Sequence, residues 1–295
     1  MLWVLFSLLA GFFVALSDAL NKKHLGSEGY VKMAVARTLG ALPFLLPLLL
    51  YFLLFQEKTL YFTPSFLINV LLLLLLEIVA TLFYMKGLQI SPLSASLPYL
   101  SFTPVFIIIT GNLILGERIS SVGILGIVLI TLGGYMVHLS RLKEGLLGPL
   151  KGLWKERGSL FLLITALIYS ITSVLGKKGI LLSDPLFFAV FYFSLLSFMT
   201  PLILKILYPL DISTFIRKRK REILLVGGSQ AAMCICHMLA LSLVETAYMI
   251  ALKRTSIIFA VLLGWYFFRE RHFKLRLSAV TIMFLGILIL TFGRK

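Results

Sequence analysis

The sequence predicts an all-α integral membrane protein: ten transmembrane helices in two inverted five-helix repeats. Three observations point there. Of 295 residues, 60% are hydrophobic and 14% charged, with a mean hydropathy of +1.02, whereas soluble domains carry about a quarter charged residues. The apolar residues form continuous runs of the length that crosses a bilayer, roughly 20 residues. Short motifs in the first half return in the second, in the same order.

The runs fall at residues 2–20, 30–55, 64–86, 92–115, 120–139, 159–175, 186–207, 223–243, 246–268 and 275–292. They are continuous, not alternating, which fits helices and excludes barrel strands. The first has no basic stretch before it and no small-residue cleavage site, so it is expected to remain as a helix. In the fourth, Pro98 and Pro104 each remove a backbone donor and favour a kink. Most connections are very short. The exceptions are 208–222, with the basic cluster Arg217–Glu222, and 140–158, which halves the chain. The expected organisation is therefore a repeat over 1–139, a linker over 140–158 and a second repeat over 159–293.

"ALNKKHL" at 19–25 matches "VLGKKGI" at 174–180 with an offset of 155. "TGNLILGERIS" at 110–120 matches "LGWYFFRERHF" at 263–273 with an offset of 153, so Glu117 and Glu270 close equivalent turns after the fourth helix of each half. A repeat with an odd number of spans must be followed by a copy entering from the opposite face. Alternating the loops between two sides, and counting Lys32, Lys86, Lys205 and Arg276 at span ends with their adjoining loops, puts 19 of the 28 Lys and Arg on one side and 6 on the other, with 3 deep inside spans. Since basic loops stay in the cytoplasm, this places both termini outside. The net charge of +16 thus has a topological cause, and nucleic acid is not an expected partner. The cluster Arg217–Glu222 is read as a topology determinant that also attracts anionic lipid head groups.

Ten spans in two halves, each with its Glu-containing turn, resemble the drug/metabolite transporter superfamily and its EamA family. Residues 87–120 and 241–270 carry most of the resemblance, which covers essentially the whole chain. It implies a secondary transporter working by alternating access. It leaves the substrate open, because the superfamily spans amino acids, sugars, nucleotide sugars, phosphorylated metabolites and toxic cations. Members usually keep both termini in the cytoplasm, the opposite of the charge count. Phosphate-exchanging members also carry a Lys-Arg pair in the ninth helix that holds the substrate's phosphate, which carries over to Lys253 and Arg254 alone.

Those two cations lie side by side in the 246–268 run. A charge at the centre of a membrane helix costs about 2.5–3.5 kcal/mol on insertion scales, so both need compensation. They are read as a site for a phosphate or carboxylate, Arg254 offering a planar fork and Lys253 a point charge. The alternatives are an internal ion pair, or snorkelling to an interface. Glu77, deep in the third helix, is either their counter-charge or a coupling-proton carrier. Arg37 in the second helix is a third candidate donor. Asp18 and Lys22, four apart near the end of the first helix, are expected to pair locally. In the kinked fourth helix Ser94, Tyr99, Ser101 and Thr103 offer hydroxyls, and Tyr248 is their repeat-related neighbour; the alternative is a packing helix with serines bonded to its own backbone. Cys234 and Cys236 point to opposite sides of a helix and cannot share an ion, so neither a metal nor a cofactor is expected; His237 can line a cavity or bond between helices.

The chain has 12 Asp and Glu, widely scattered, and no HExxH or paired-aspartate motif, so an enzyme is not expected. The expected activity is transport of a small-molecule substrate, an organic anion with phosphorylated ones included. Export of amino acids or other neutral metabolites is the alternative. The expected location is the cytoplasmic membrane of a prokaryote, spanned many times and in contact with its lipid bilayer. Oligomeric state and coupling ion are not legible.

Overall fold

In a membrane the backbone has no water to bond with, so apolar runs must satisfy their amides internally as helices. The computed structural model describes residues 2–55, 62–92, 97–136, 157–268 and 273–292, and only the backbone of 98, 268, 273–280 and 292. Lys58, Ser94, Glu270, Arg294, Lys295 and nearly all of the expected linker lie outside the described residues.

The chain forms α1 (Leu2–Leu25), α2 (Tyr30–Leu39), α3 (Leu42–Phe55) and α4 (Pro64–Ile90), then a 3-10 helix (Leu97–Phe102), α5 (Thr103–Leu115) and α6 (Ser121–Met136). The second half gives α7 (Arg157–Leu181), α8 (Pro185–Leu207), α9 (Ile212–Leu243), α10 (Thr246–Lys253), α11 (Ser256–Phe268) and α12 (Phe273–Phe292). Among the described residues, seven helical stretches are long and apolar enough to cross a membrane: Leu2–Glu28, Tyr30–Phe55 (α2 with α3), Pro64–Ile90, Arg157–Leu181, Pro185–Leu207, Ile212–Leu243 and Thr246–Phe267 (α10 with α11). Tyr99–Leu115, Ser121–Met136 and Thr281–Thr291 are shorter apolar helices. Leucines and aromatics such as Leu54, Phe55, Leu113 and Tyr266 face outward, a surface that suits lipid and not water.

Local signals start the helices. Thr63 accepts from Phe66 N (3.3 Å) with Pro64 behind it. Asp184 accepts from Leu186 N and Phe187 N, both at 3.0 Å, with Pro185 next. Asp211 accepts from Thr214 N at 3.0 Å. These caps satisfy amides that the first turn leaves open, and Pro at the first position loses nothing.

The structure departs from the expected spans in two places. The loop expected over 208–222 is mostly helix: the Asp211 cap starts α9 early, and a kink at Arg219 (φ −125°, ψ 26°) separates a basic stub from the membrane-crossing part. Arg219 pairs with Glu28 (3.1 Å) and Glu222 (3.5 Å). Glu28 also takes Lys32 (3.1 Å). Second, the 246–268 run is not one helix. It breaks at Arg254–Thr255, between α10 and α11. The break has its counterpart in the first half, where the 3-10 helix gives way to α5; α5 starts at Thr103, 153 positions before α11 starts at Ser256.

Packing follows the duplication. α1 packs on α9 and α11 as α7 packs on α4 and α5; α6 packs on α12, and α8 on α2 and α3. Contacts also give chain directions. Asp18 meets Tyr84 and Lys22 meets Leu88 and Ser91, so α1 and α4 run parallel. Asn69 donates to Leu175 O (3.0 Å) while Phe83 stacks on Phe161 (centroids 5.6 Å), so α4 and α7 run antiparallel.

The expected Asp18–Lys22 pair does not form. Asp18 is buried and accepts from Arg37 and Tyr84 instead. Lys22 reaches the end of α4, donating to Leu88 O (2.7 Å) and to Ser91 O. Helix-end carbonyls are open acceptors with partial negative charge, so they hold an ammonium better than a carboxylate already committed elsewhere.

α2 and α9 cross with no side chain between them. A Cβ placed on Gly227 would lie 1.8 Å from Gly40 C, and one on Gly40 would lie 2.2 Å from Ile223 O. Small residues permit such close approach in membranes. Gly227→Ala should therefore lower stability by about 1–3 kcal/mol, as overpacking does, seen as a lower midpoint of thermal unfolding in detergent. Gly26→Ala, which meets nothing nearer than 3.9 Å, should leave that midpoint unchanged.

Candidate functional site

Polar residues recur along three helices at helical spacing and converge on one space. α4 contributes Glu77, Thr81 and Tyr84, α7 contributes Tyr169, Thr172 and Ser173, and α9 contributes Gln230 and His237. α2 adds Arg37, and the end of α10 adds Lys253 and Arg254. Together they enclose a cavity of about 90 Å³. One ordered water needs roughly 10–15 Å³ on this measure, so the space suits several waters or the polar head of a small solute.

The break in the ninth apolar run sets the two cations at its edge. Lys253 ends α10, and Arg254 occupies the turn before α11. α1 packs backbone to backbone against this turn: a Cβ on Gly11 would lie 3.0 Å from Lys253 O and 2.8 Å from Thr255 Oγ1. Lys253 Nζ approaches His237 Nδ1 (2.8 Å) and Met233 Sδ (3.4 Å). An ammonium can only donate, so the ring nitrogen accepts and His237 carries its proton on Nε2. Arg254 Nη2 donates to Thr103 Oγ1 at 2.9 Å. That bond joins the break in the second half to its counterpart in the first. Arg254 Nε is buried without a partner.

Arg37 behaves differently. It is buried and paired with Asp18 at 2.5 Å, with its guanidinium 5.0 Å from the Tyr84 ring centroid. Asp18 also accepts from the Tyr84 hydroxyl. Arg37 is thus neutralised where it stands. Among the described residues no carboxylate forms an ion pair with Lys253 or Arg254, and Glu77 forms none with any cation. Glu77 faces the cavity half-buried.

The structure therefore brings five of the expected residues to one cavity: Lys253, Arg254, Arg37, His237 and Glu77. It places Tyr99, Ser101 and Tyr248 elsewhere. Ser101 donates to Thr131 O (3.2 Å) and Thr131 Oγ1 donates back to Ser101 O (2.9 Å), tying the 3-10 helix to α6. Tyr99 is buried in the 3-10 helix. The Tyr248 hydroxyl lies 3.2 Å from Ser120 N and 3.1 Å from Ser120 Oγ, before α6. Glu117 has a structural role that the sequence did not reveal. It accepts from Thr246 N and Oγ1 (2.8–3.1 Å) and so caps α10 from the other half. Gly116, at φ 68°, makes the turn that delivers it. Sequence reasoning also missed Asp18, Tyr84, Tyr169 and Gln230. The spacing of Glu77, Thr81 and Tyr84 at i, i+4 and i+7 on an apolar helix was the available signal for the α4 stripe.

Comparison with known proteins fits this arrangement. A solved crystal structure, titled only as that of a protein, superposes with a TM-score of 0.64 over 98% of each chain at 15% identity, which speaks for the fold alone. A search among curated proteins finds no match. The family model of the EamA-like transporter family matches residues 1–139 and again residues 156–292. A multi-pass helical chain matched by this family in each half is a membrane transporter of the drug/metabolite superfamily, and the chain belongs to the EamA-like transporter family.

Proposed function

We propose that this protein is a secondary transporter that moves a small organic anion, phosphorylated metabolites included, by alternating access, and that Lys253 and Arg254 hold the anionic group. One observation carries the reading: two adjacent cations border one cavity, and among the described residues neither is paired with a carboxylate. A buried cation without a counter-charge is costly. A phosphate or carboxylate entering the cavity supplies that counter-charge. The Asp18–Arg37 pair is internally balanced, so Arg37 shapes the site more than it charges it.

Ten spans in two inverted repeats, 1–139 and 159–293 with a linker over 140–158, suit alternating access. The family match in each half supports the duplication. The parallel α1 and α4 against the antiparallel α7 support the inversion. Such repeats place a solute between interrupted helices near the membrane midplane, where Arg254 and Thr103 meet. The charge count assigns the termini to the outside of a prokaryotic cytoplasmic membrane. A second reading, export of amino acids, draws on Glu77. As a carboxylate in no ion pair among the described residues, it can receive an ammonium while Lys253 and Arg254 receive a carboxylate.

Lys253→Ala and Arg254→Ala should each reduce exchange at least tenfold while the protein stays monodisperse. The assay is proteoliposomes loaded with inorganic phosphate, malate or serine against the same labelled solute outside. Exchange of phosphate or malate alone supports the anion; exchange of serine alone supports the amino acid. Full activity of either variant with every solute would remove the site. Asp18→Asn should destabilise the fold by about 3–5 kcal/mol, because it leaves Arg37 as a lone buried charge. Thermal unfolding in detergent would show it, and Asp18→Asn with Arg37→Met should recover most of the loss.

A further inference from the structure

Lys22 and Lys177 occupy equivalent positions in the two repeated motifs, and the structure gives them equivalent bonds. Lys22, near the end of α1, donates to Leu88 O (2.7 Å) and to Ser91 O at the end of α4. Lys177, near the end of α7, donates to Leu241 O (2.5 Å) and Val244 O (2.8 Å) at the end of α9. The acceptors are also equivalent, each 153 positions apart. Each lysine thus clasps the end of the third helix of its own half.

What the clasps join gives them meaning. α1 packs chiefly on α9 and on the interrupted α10–α11, whereas α7 packs chiefly on α4 and on the 3-10 helix with α5. This defines two groups of helices, each drawn from both halves, which meet where α10 packs on α5 and face each other across the cavity. Lys22 ties the α1 group to the α4 group. Lys177 ties the α7 group to the α9 group. Both clasps therefore bridge the same divide, where direct packing of α1 on α4 and of α9 on α7 is sparse.

The clasps lie at opposite ends of that divide. Ser17 of α1 donates to Val226 O (3.2 Å), and Glu28 just beyond α1 pairs with Arg219, so the end of α1 lies beside the start of α9. Lys177 binds at the other end of α9, beyond its spanning length. A helix of some 24 residues after the kink measures roughly 36 Å at 1.5 Å per residue, about the thickness of a bilayer's hydrocarbon core.

We propose that Lys22 and Lys177 are the two gate clasps of the transport cycle, one at each membrane face, and that opening a face requires its own clasp to release. The inference rests on the alternating-access reading. An ammonium on helix-end carbonyls makes a suitable gate. The bonds are directional, the partner dipoles hold the charge, and release at a membrane face returns the ammonium to water instead of leaving it in hydrocarbon. Two clasps of like chemistry at opposite faces give the halves matched gates with no added element.

Electron–electron resonance distances in nanodiscs test this, in a Cys234→Ala, Cys236→Ser background. One label pair, Ser27→Cys with Ile90→Cys, reports the Lys22 face; the other, Leu181→Cys with Leu243→Cys, reports the Lys177 face. Lys22→Met should add a population longer by roughly 5 Å, the scale of a one-turn slip, to the first pair and leave the second unchanged. Lys177→Met should do the reverse. Unchanged distances in both variants, or both faces loosening together in either, would overturn the gates. A reducible cross-link between the residues of the first pair, on unaltered Lys22, should stop exchange of labelled inorganic phosphate, malate and serine alike, and reduction should restore it; exchange persisting under the cross-link would equally overturn the proposal. Thermal shift by the same three solutes reads the cavity independently: solute binding lost in Lys253→Ala, with distances unmoved in Lys22→Met, would leave the solute site standing and remove the gates alone.

Discussion

A positive charge in hydrocarbon must find water, a counter-charge or a solute, and much of this structure answers that demand at Lys253 and Arg254. Adjacent helical side chains point about 100° apart, yet both line the same cavity, at the turn between α10 and α11. The cavity gives Lys253 the neutral His237 ring as an acceptor, and Thr103 gives Arg254 a hydroxyl from the opposing half. The turn keeps its backbone bonds, Arg254 N to Ile250 O (3.2 Å) and Thr255 N to Leu252 O (3.1 Å), and Gly11 of α1 fits against it because it has no side chain.

The duplication turns one set of devices into two. Each half has an interrupted fourth helix and a lysine clasp between its first and third helices. The halves are interlocked, not merely adjacent: α1 belongs by packing with α9 and α11, and Glu117 of the first half caps α10 of the second. The cavity is accordingly lined from both halves; Lys253 and Arg254 come from one, and the hydroxyl that orients Arg254 comes from the other.

Much of this was legible in the sequence, for physical reasons. Membrane helices are nearly compulsory for apolar runs of this length, so element type and position followed from hydropathy. Intramembrane charges are expensive, so Lys253, Arg254, Arg37 and Glu77 stood out and all reached the cavity. Contacts between helices distant in the chain were not legible. Asp18 and Lys22 are four apart, the spacing of a local pair, yet each finds a partner on α4 or α2 that only the fold supplies. Tyr99, Ser101 and Tyr248 were read as solute ligands from their place in kinked or repeat-related helices; the first is buried in its 3-10 helix and the other two bond to neighbouring segments. The break in the 246–268 run left no proline or glycine at Arg254–Thr255 to announce it. The repeat was the better clue, since the proline-bearing fourth helix occupies the equivalent stretch.

The bond from Arg254 to Thr103 fixes the guanidinium through Nη2. At the anion site proposed above, a guanidinium held in this way spends little orientational entropy on its guest. Capture and departure can then proceed at a receptor of constant shape. Such economy favours quick turnover over tenacious retention, as a carrier requires and a storage protein does not.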